Sequence, residues 1–432
     1  MTGASKLGTN IRMTTVALVV PALNDAESLR TLLPQVRDVL ERFAIPARVY
    51  VVDRGSFDET RRVAEQHGAT VLGSGNLDYG SALRVAFDGV PEDYIITLDG
   101  DGSHPPELLN RLYRLRDHAE IVIASRYVKH GFTQMGAIRQ ACSRLLNAAF
   151  RFLLDLDVKD LSSGYRLYNR RAVVRQNLEM TSYAVLQEIL IKGYCEGFTI
   201  REIPMHYLPA AGRSTLQLGR LAIDYARTFR TMWRLRNSTE SCDYDSRAFF
   251  SKIPLQRYWQ RRRYQIIRGY VGGALRVLDA GCGSTQILNG SPQIVGMDPQ
   301  LRKLRFMRAE GRHLVSGSTF ALPFRSAAFD VVVSSQVIEH LREDDVIFAE
   351  LSRCLKPGGT LVLGTVDYGG WQWPLIEWAY GLAKPTGYAH EHITHYTRAT
   401  LFERLSQMGY VVLDHQYILG GEIIIKARKP VA

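Results

Sequence analysis

The segment from residue 94 to residue 107, YIITLDGDGSHPPE, constrains the fold of this chain most strongly. Its apolar first part has the length and bounding turn residues of a buried strand, which ends in Asp99 and Asp101. Open α/β sheets place ligands at the carboxyl ends of their strands. Two carboxylates this close repel each other, and a hard cation such as Mg²⁺ removes that repulsion. The segment therefore predicts a metal site, with an ordinary Asp-Gly surface turn as the alternative.

Strand-like and helix-like segments alternate through the first half of the chain. Apolar runs at residues 16–20, 49–52 and 69–72 are typical of strands, and the stretches between them have helical spacing of apolar residues. Asp25 and Ser28 are the residues that can cap the first helix. This alternation predicts an α/β fold with a mostly parallel sheet, whose edge carries the polar groups that follow the strands.

Composition limits the classes of function. At 46% hydrophobic residues the chain is ordinary globular material, and 432 residues suggest two or three domains. A net charge of +11 favours an anionic partner, such as nucleic acid, a lipid headgroup surface or a phosphorylated substrate. Five scattered cysteines and a polar start without a signal peptide favour a reduced, cytoplasmic setting. No apolar segment approaches the roughly 20 residues that span a bilayer, so membrane contact is expected to be peripheral.

Five segments, in order, resemble the family-2 glycosyltransferases of the GT-A fold. They are VPALNDAESL from residue 20, VDRGSFDET from 52, LDGDGSHPPE from 98, ASRY from 124 and DLSSGYR from 160. The resemblance is strongest to the polyprenyl-phosphate branch, the dolichol-phosphate mannose synthase-like enzymes. It implies a nucleotide-sugar donor and a Rossmann-like GT-A domain over residues 1–236. Arg54 and Leu23 depart from the usual family residues, so GDP-mannose and UDP-hexose both remain open as donors.

The resemblance also implies roles for individual residues. Those expected around the nucleotide base and ribose are Pro21, Asn24, Glu27 and Asp53. Those expected at the phosphates of donor or acceptor are Ser125, Arg126, Arg139 and Arg213. Asp99 and Asp101 are expected to hold Mg²⁺ or Mn²⁺ on the diphosphate.

A polyprenyl phosphate is already anionic and nucleophilic, so transfer to it needs no general base. The metal, with Arg126 and Arg213, is expected to stabilise the leaving group in an inverting displacement. Asp160 is kept as a candidate base for the case in which the acceptor is a glycan hydroxyl.

Residues 216–236 predict a basic amphipathic helix. Phe229 and Trp233 lie on its apolar face, and Arg227 and Arg230 lie on another face. Such a helix suits peripheral contact with an anionic membrane, and the alternative is a helix packed on the catalytic domain or on the second domain.

A polar stretch after residue 236 marks a domain boundary, and residues 237–274 are interpreted as a basic linker. Its segment RYWQRRRY from residue 257 either binds nucleic acid or forms a helix that caps the next domain, and the second interpretation is favoured. No nucleic-acid partner is therefore expected.

Residues 275–432 resemble a class I S-adenosylmethionine-dependent methyltransferase. The segments that carry the resemblance are RVLDAGCGST from residue 276, IVGMD from 294, QVIEHL from 336 and LKPGG from 355. The family pattern implies methionine contacts from Asp279, Gly281 and Gly283, a ribose contact from Asp298, and Gln336 near the sulfonium. Ser318 stands where an Asp usually faces the adenine, and Thr285 stands where a third glycine is common.

The methyl acceptor is less defined. His390, His392 and His395 flank Glu391, which suggests either zinc or a structural, substrate-lining role, and the second is favoured. One of these histidines, or Glu339, could deprotonate a hydroxyl acceptor.

The sequence as a whole predicts a bifunctional enzyme at the cytoplasmic face of a membrane. It would transfer a sugar to a polyprenyl phosphate or glycan, and a methyl group from S-adenosylmethionine. Two alternatives remain open: a glycosyltransferase with a degenerate, regulatory methyltransferase domain, and a non-catalytic basic adaptor for membrane or nucleic acid.

Overall fold

The computed structural model describes residues 15–431 except residues 74, 175, 209–217, 288, 291–292, 309–311, 343–344 and 384–391. The chain divides into two compact units, one of Met1–Tyr194 with Phe198–Trp233 and one of Cys195–Gly197 with Arg234–Ala432. None of the helices over the described residues is long and apolar enough to cross a membrane.

The first unit is built on a seven-stranded sheet and a two-stranded sheet. Its strands are β1 Val16–Ala22, β2 Ala47–Asp53, β3 Thr70–Leu72, β4 Tyr94–Thr97, β5 Ile121–Ser125, β6 Phe132–Thr133, β7 Arg166–Asn169, β8 Ile200–Pro204 and β9 His206–Tyr207. Its helices are α1 Ala26–Arg42, α2 Thr60–Gln66, α3 Tyr79–Gly89, α4 Leu108–Arg114, α5 Ala137–Leu154, α6 Val185–Cys195 and α7 Leu218–Arg236. The last residues of α6 and α7 fall in the second unit.

The order of strands in the large sheet is β3-β2-β1-β4-β7-β5-β8. All of its pairs are parallel except those that β7 makes with β4 and β5, which are antiparallel. Register pairs Ala22 with Asp53 and Val19 with Thr97, so the residues after β1, β2 and β4 reach the same sheet edge. The core beneath is fully buried, with Leu18 on β1 and Leu29 on α1 both at 0% exposure.

The second unit also has a seven-stranded sheet, with order β12-β11-β10-β13-β14-β16-β15. Its strands are β10 Val277–Ala280, β11 Ile294–Asp298, β12 His313–Ser316, β13 Phe329–Ser335, β14 Leu355–Val366, β15 Val411–Ile418 and β16 Glu422–Arg428. Its helices are α8 Tyr244–Phe249, α9 Pro254–Val271, α10 Leu301–Arg308, α11 Asp345–Cys354, α12 Gln372–Ala383 and α13 Arg398–Gln407. The strands from β12 to β14 are parallel, and β16 is antiparallel to both β14 and β15.

The segment interpreted as a basic linker is a folded part of the second unit. It contains α8 and α9, and Arg263 on α9 donates to both carboxylate oxygens of the fully buried Glu422, at 2.6 and 2.7 Å. Trp259 donates to the same carboxylate, and Arg262 donates to Gln416 at 3.0 Å. The run of arginines and aromatics therefore serves the packing of its own domain, and the unit begins at Arg234 rather than at residue 275.

Candidate active sites

The carboxyl end of β4 carries the two predicted metal ligands. Asp99 Oδ1 accepts a hydrogen bond from the Tyr79 hydroxyl at 3.1 Å, and Oδ2 lies 3.7 Å from Nε2 of the buried His104. Asp101 Oδ1 accepts from the backbone N–H and the hydroxyl of Ser103, at 3.0 and 2.6 Å. These bonds fix the orientation of both carboxylates at the sheet edge. Hard carboxylate oxygens are the donors that Mg²⁺ and Mn²⁺ prefer, so the residues present fit the implied ion.

A third carboxylate lies beside this pair. Asp25 Oδ2 sits so close to Gly100 that a Cβ added there would lie 3.2 Å from it. The sequence predicted Asp25 as a helix cap, but its side chain makes no capping hydrogen bond to α1 and accepts instead from Leu23 N–H at 2.9 Å. Burial raises the pKa of Asp25 to about 6, with further increases from Asp101 and Asp99. A bound cation would relieve this concentration of negative charge.

The loop after β2 is held by two residues predicted at the nucleotide. Asp53 Oδ1 accepts from the N–H groups of Gly55 and Ser56, at 3.2 and 2.9 Å. Asn24, in the left-handed region at φ 57°, accepts from Phe57 N–H at 2.8 Å and donates its own N–H to the Ser56 hydroxyl. The structure thus brings Asn24 and Asp53 to the same loop.

Two other residues predicted at the nucleotide differ in their placement. Pro21 is buried within β1, beside that loop's strand. Glu27 has a side chain that is 93% exposed and pairs with Arg30 on the surface of α1. No contact of Glu27 with the loop after β2 occurs among the described residues, because the turn of α1 directs it to solvent.

Arg126 and Asp160 form a buried ion pair. Arg126 donates to Asp160 from Nε, Nη2 and its backbone N–H, at 2.8, 2.7 and 3.0 Å. Burial opposes ionisation of Asp160, but Arg126 holds the pKa of this carboxyl below its usual value. Asp160 is fully buried, and such a carboxylate is a poor proton acceptor. The structure is therefore inconsistent with the role of general base that the sequence left open for Asp160.

A cleft of about 370 Å³ opens beside this ion pair. Four of its lining side chains are cationic: Arg126, Arg144, Arg151 and Lys159. Arg144 and Arg151 lie on α5, and Lys159 directly precedes Asp160. Because Asp160 neutralises only Arg126, the cleft keeps a net positive charge and suits a phosphate-bearing ligand. Sequence reasoning singled out Arg126 and missed the other three cations.

The remaining residues predicted at the phosphates lie elsewhere. Ser125 is fully buried at the end of β5, and its hydroxyl accepts from Tyr127 N–H at 3.3 Å. Arg139 is exposed in the first turn of α5 and does not line the cleft. Arg213 lies outside the described residues.

The apolar face of α7 is used in packing within the first unit. Phe229 meets Phe150 of α5 edge to face, with ring centroids 5.5 Å apart, and Met232 is fully buried. This arrangement matches the packed-helix alternative for residues 216–236, because Phe229 and Met232 pack within the first unit. A set of exposed apolar side chains lies on α5, where Ile138, Leu145 and Phe152 are 83%, 73% and 73% exposed. Their spacing of seven residues places them on one helical face.

In the second unit, the turn after β10 gathers the residues implied for the cofactor. Gly281 and Gly283 adopt φ of +82° and +53°, and Gly283 N–H donates to Asp298 Oδ2 at 2.9 Å. A Cβ at Gly281 would lie 2.4 Å from Val337, so only glycine fits there. Burial and the neighbouring Asp298 raise the pKa of Asp279 to about 7.

Unpartnered polar atoms at adjacent strand ends indicate a ligand-binding position. Asp279 Oδ2, near the end of β10, and Gln336 Nε2, after β13, are buried and have no hydrogen-bond partner among the described residues. A buried acceptor and a buried donor of this kind fit the charged methionine part of S-adenosylmethionine, and both are costly to leave unpaired. Ser318 is exposed, and its hydroxyl accepts from Phe320 N–H at 3.2 Å within its own loop.

The histidines predicted near the methyl acceptor are partly described. His392 Nδ1 lies 2.9 Å from the Tyr368 hydroxyl, and the ring of His395 stacks on Tyr368 with centroids 4.0 Å apart. Burial raises the pKa of Glu339 to about 7, in the segment that follows β13. His390 and Glu391 lie outside the described residues.

Comparison with known proteins agrees with this architecture. The profile of the family described as glycosyl transferase family 2 matches residues 17–175, and that described as methyltransferase domain matches residues 278–363. An undecaprenyl-phosphate mannosyltransferase of Micrococcus luteus is 31% identical over 207 residues, which are 45% of this chain and 83% of that protein. A polyprenol monophosphomannose synthase of Mycolicibacterium smegmatis is 28% identical over 48% of this chain and 82% of that protein. A glycosyltransferase of Haloferax volcanii is 30% identical over 47% of this chain and 66% of that protein.

The family resemblance and the fold class predicted from the sequence are thereby confirmed. The chain belongs to the family-2 glycosyltransferases, and it is an enzyme that joins a glycosyltransferase domain of the GT-A class to a methyltransferase domain.

Proposed function

We propose that the first unit transfers a hexose from a nucleotide sugar to a polyprenyl phosphate, and that the second unit transfers a methyl group from S-adenosylmethionine. The observation that carries the first part is the cleft lined by Arg126, Arg144, Arg151 and Lys159. Arg126 is also close enough to Asp99 to counteract the rise in the pKa of that carboxyl, which burial causes. Arg126 thus lines the cleft and also interacts electrostatically with Asp99.

In this proposal, different residues of the first unit bind the metal, the nucleoside and the acceptor phosphate. Asp99 and Asp101 would hold Mg²⁺ or Mn²⁺, which supplies positive charge at the diphosphate. Asn24 and Asp53 would position the nucleoside. The cleft would attract and orient the acceptor phosphate, whose own oxygen is the nucleophile, so no residue needs to remove a proton. This division agrees with the finding that Asp160 is occupied by Arg126.

The similar proteins indicate which donor and acceptor to test first. The names of two similar proteins specify mannose, one with undecaprenyl phosphate and the other with a polyprenol as the lipid. GDP-mannose is therefore the first donor to test and UDP-hexose the second. A glycan hydroxyl is the competing acceptor class.

The lipid acceptor requires contact with a membrane. The face of α5 formed by Ile138, Leu145 and Phe152 is exposed and apolar, and Arg144 and Arg151 lie on the same helix. We place the peripheral membrane contact on this face, at the cytoplasmic leaflet, since an apolar stripe beside cations suits an anionic interface.

The second unit supports cofactor binding through the orphaned polar atoms of Asp279 and Gln336 and through Asp298. S-adenosylmethionine supplies an electrophilic methyl group when it is bound. The chain's part is to hold the methionine end at the glycine turn and the ribose at Asp298. Calorimetric titration with S-adenosylmethionine tests this, with Asp298→Ala expected to weaken binding at least tenfold and the exposed Glu403→Gln expected to leave it unchanged. Absence of binding to the wild-type chain would favour a degenerate, regulatory domain.

Glycosyl transfer is tested by the release of nucleoside diphosphate from GDP-mannose and UDP-hexoses, with Mg²⁺ or Mn²⁺ and with or without polyprenyl phosphate. We expect turnover to require both metal and lipid. Asp99→Asn and Asp101→Asn should each reduce this turnover at least 100-fold. Asp88→Asn, an exposed position on α3, is the matched control. Turnover that proceeds equally well on a glycan without lipid would overturn the proposed acceptor.

A further inference from the structure

Three metal-ligating side chains converge in the second unit, outside the residues assigned above to cofactor binding. Glu339 and His340 belong to the 3-10 turn Ile338–His340 that follows β13, and His392 lies before α13. One ligand atom from each of the three lies within 4.8 Å of the others. The two segments are joined by hydrogen bonds, because the carbonyl oxygen of Glu339 accepts from the N–H groups of Ile393 and Thr394, at 2.8 and 3.1 Å.

The burial of the Glu339 carboxylate independently indicates that this cluster binds a ligand. The residue is 0% exposed, and within the part of the chain that the structure describes neither of its carboxylate oxygens has a hydrogen-bond partner. Burying a carboxylate in this state is costly, and buried charges in proteins are normally paired or coordinate a metal. The packing of Glu339 thus leaves both oxygens available to a cation.

Two neighbouring side chains hold the imidazole ring of His392 in place. Its Nδ1 lies 2.9 Å from the Tyr368 hydroxyl and 3.3 Å from Glu377 Oε1. The Tyr368 hydroxyl also donates toward the Glu377 carboxylate, at 3.1 and 3.2 Å. A histidine held from behind by a carboxylate is the usual arrangement around a metal ion in proteins, since it sets both the tautomer and the ring orientation.

We propose that Glu339, His340 and His392 bind a divalent transition-metal ion, for which zinc is the best chemical match. Two imidazoles and one carboxylate suit zinc, and three protein ligands are the number found at zinc sites that keep one coordination position open. That position would take water or, resting on the proposed methyltransferase function, an oxygen of the methyl acceptor. Zinc would there lower the pKa of a bound hydroxyl.

The experiment measures metal content and affinity in the full-length chain, independently of either transferase activity. The chain is stripped with a chelator and titrated with Zn²⁺ against a chromogenic competitor, in an Asp99→Asn, Asp101→Asn background that removes the other predicted metal site. We expect one tight equivalent, weakened at least 100-fold by His392→Ala or by Glu339→Gln. The matched control is His313→Ala, an exposed histidine of the same unit, with unchanged affinity expected.

Two further variants separate metal loss from misfolding. His340→Ala alters a half-buried side chain, and circular dichroism of that variant should match wild type while zinc affinity falls. Glu377→Gln, which acts through His392, should weaken zinc binding by about 10- to 100-fold. The proposal would be overturned if a folded His340→Ala variant and the His392→Ala variant both still bound one equivalent of Zn²⁺ tightly. It would also be overturned if the Asp99→Asn, Asp101→Asn chain itself bound no Zn²⁺ tightly.

Discussion

The guanidinium of Arg126 donates hydrogen bonds to both carboxylate oxygens of Asp160, from Nε to Oδ2 at 2.8 Å and from Nη2 to Oδ1 at 2.7 Å. The side chains of Arg126 and Asp160 are 8% and 0% exposed, so the pair is almost fully removed from water. Removing one member of such a pair leaves an uncompensated buried charge, which is far more costly than losing a surface pair. The pair therefore fixes the wall of the cation cleft.

Asp160→Asn is expected to act on stability first. The substitution should lower the local free energy of unfolding by about 3 kcal/mol at pH 7, because Arg126 loses its counter-charge. The native pKa of Asp160 lies below its unfolded value, so this contribution is complete above about pH 4 and is lost as the pH falls further. Hydrogen exchange of β5 amides measures it, with the exposed Asp157→Asn as control. A general base would instead give a fall in kcat with unchanged exchange protection.

Arg144→Ala and Arg151→Ala are expected to impair use of the lipid acceptor. Each removes one cation from the cleft, and we expect the KM for polyprenyl phosphate to rise about tenfold while the KM for the nucleotide sugar stays the same. Steady-state kinetics with short-chain polyprenyl phosphate measure both constants. Arg114→Ala, an exposed arginine on α4, controls for the loss of net charge. Equal changes in both KM values would contradict an acceptor role for the cleft.

The exposed face of α5 predicts binding to vesicles. Replacing Ile138, Leu145 and Phe152 together by Gln should weaken sedimentation with anionic vesicles at least tenfold, since each side chain loses apolar area that the bilayer would cover. Turnover with a short, water-soluble acceptor should be unaffected. Ile223→Gln on α7, where Ile223 is 71% exposed, is the comparison. A larger effect of Ile223→Gln would return the membrane contact to residues 216–236.

Asp279→Asn is expected to stabilise the ligand-free chain at alkaline pH. The pKa of Asp279 is about 7 in the folded chain and near 3.9 when unfolded. The folded state therefore binds the proton more tightly, and its stability falls as the pH rises from about 4 to about 7. Asn carries no charge at any of these pH values, so its free energy of unfolding should exceed that of the wild type by on the order of 2 kcal/mol at pH 8 and should equal it at pH 4. Thermal unfolding at several pH values measures the difference, and a variant that is no more stable at pH 8 would contradict it.

The local secondary structure of the chain could be predicted from the sequence, because it depends on residues that are neighbours in the sequence. The strand before Asp99 and the glycine turn after β10 were predicted from a few consecutive residues. Asp25 shows the limit of this reasoning. Its position before a helix is typical of a cap, yet its carboxylate turns toward Gly100, a contact that no local pattern contains.

The sequence by itself determined the two α/β domains, the family of the first, and the motifs that carry carboxylates and glycines to sheet edges. These follow from short-range periodicity and composition. Only the tertiary structure decided how distant segments meet: Asp160 neutralises Arg126, and His392 joins Glu339. It also decided that Phe229 and Met232 of α7 pack within the first unit while a face of α5 stays exposed. Such pairings depend on the packing of residues far apart in the chain, because their side chains lose water and gain partners together. Amphipathic spacing alone does not determine which face of a helix is buried.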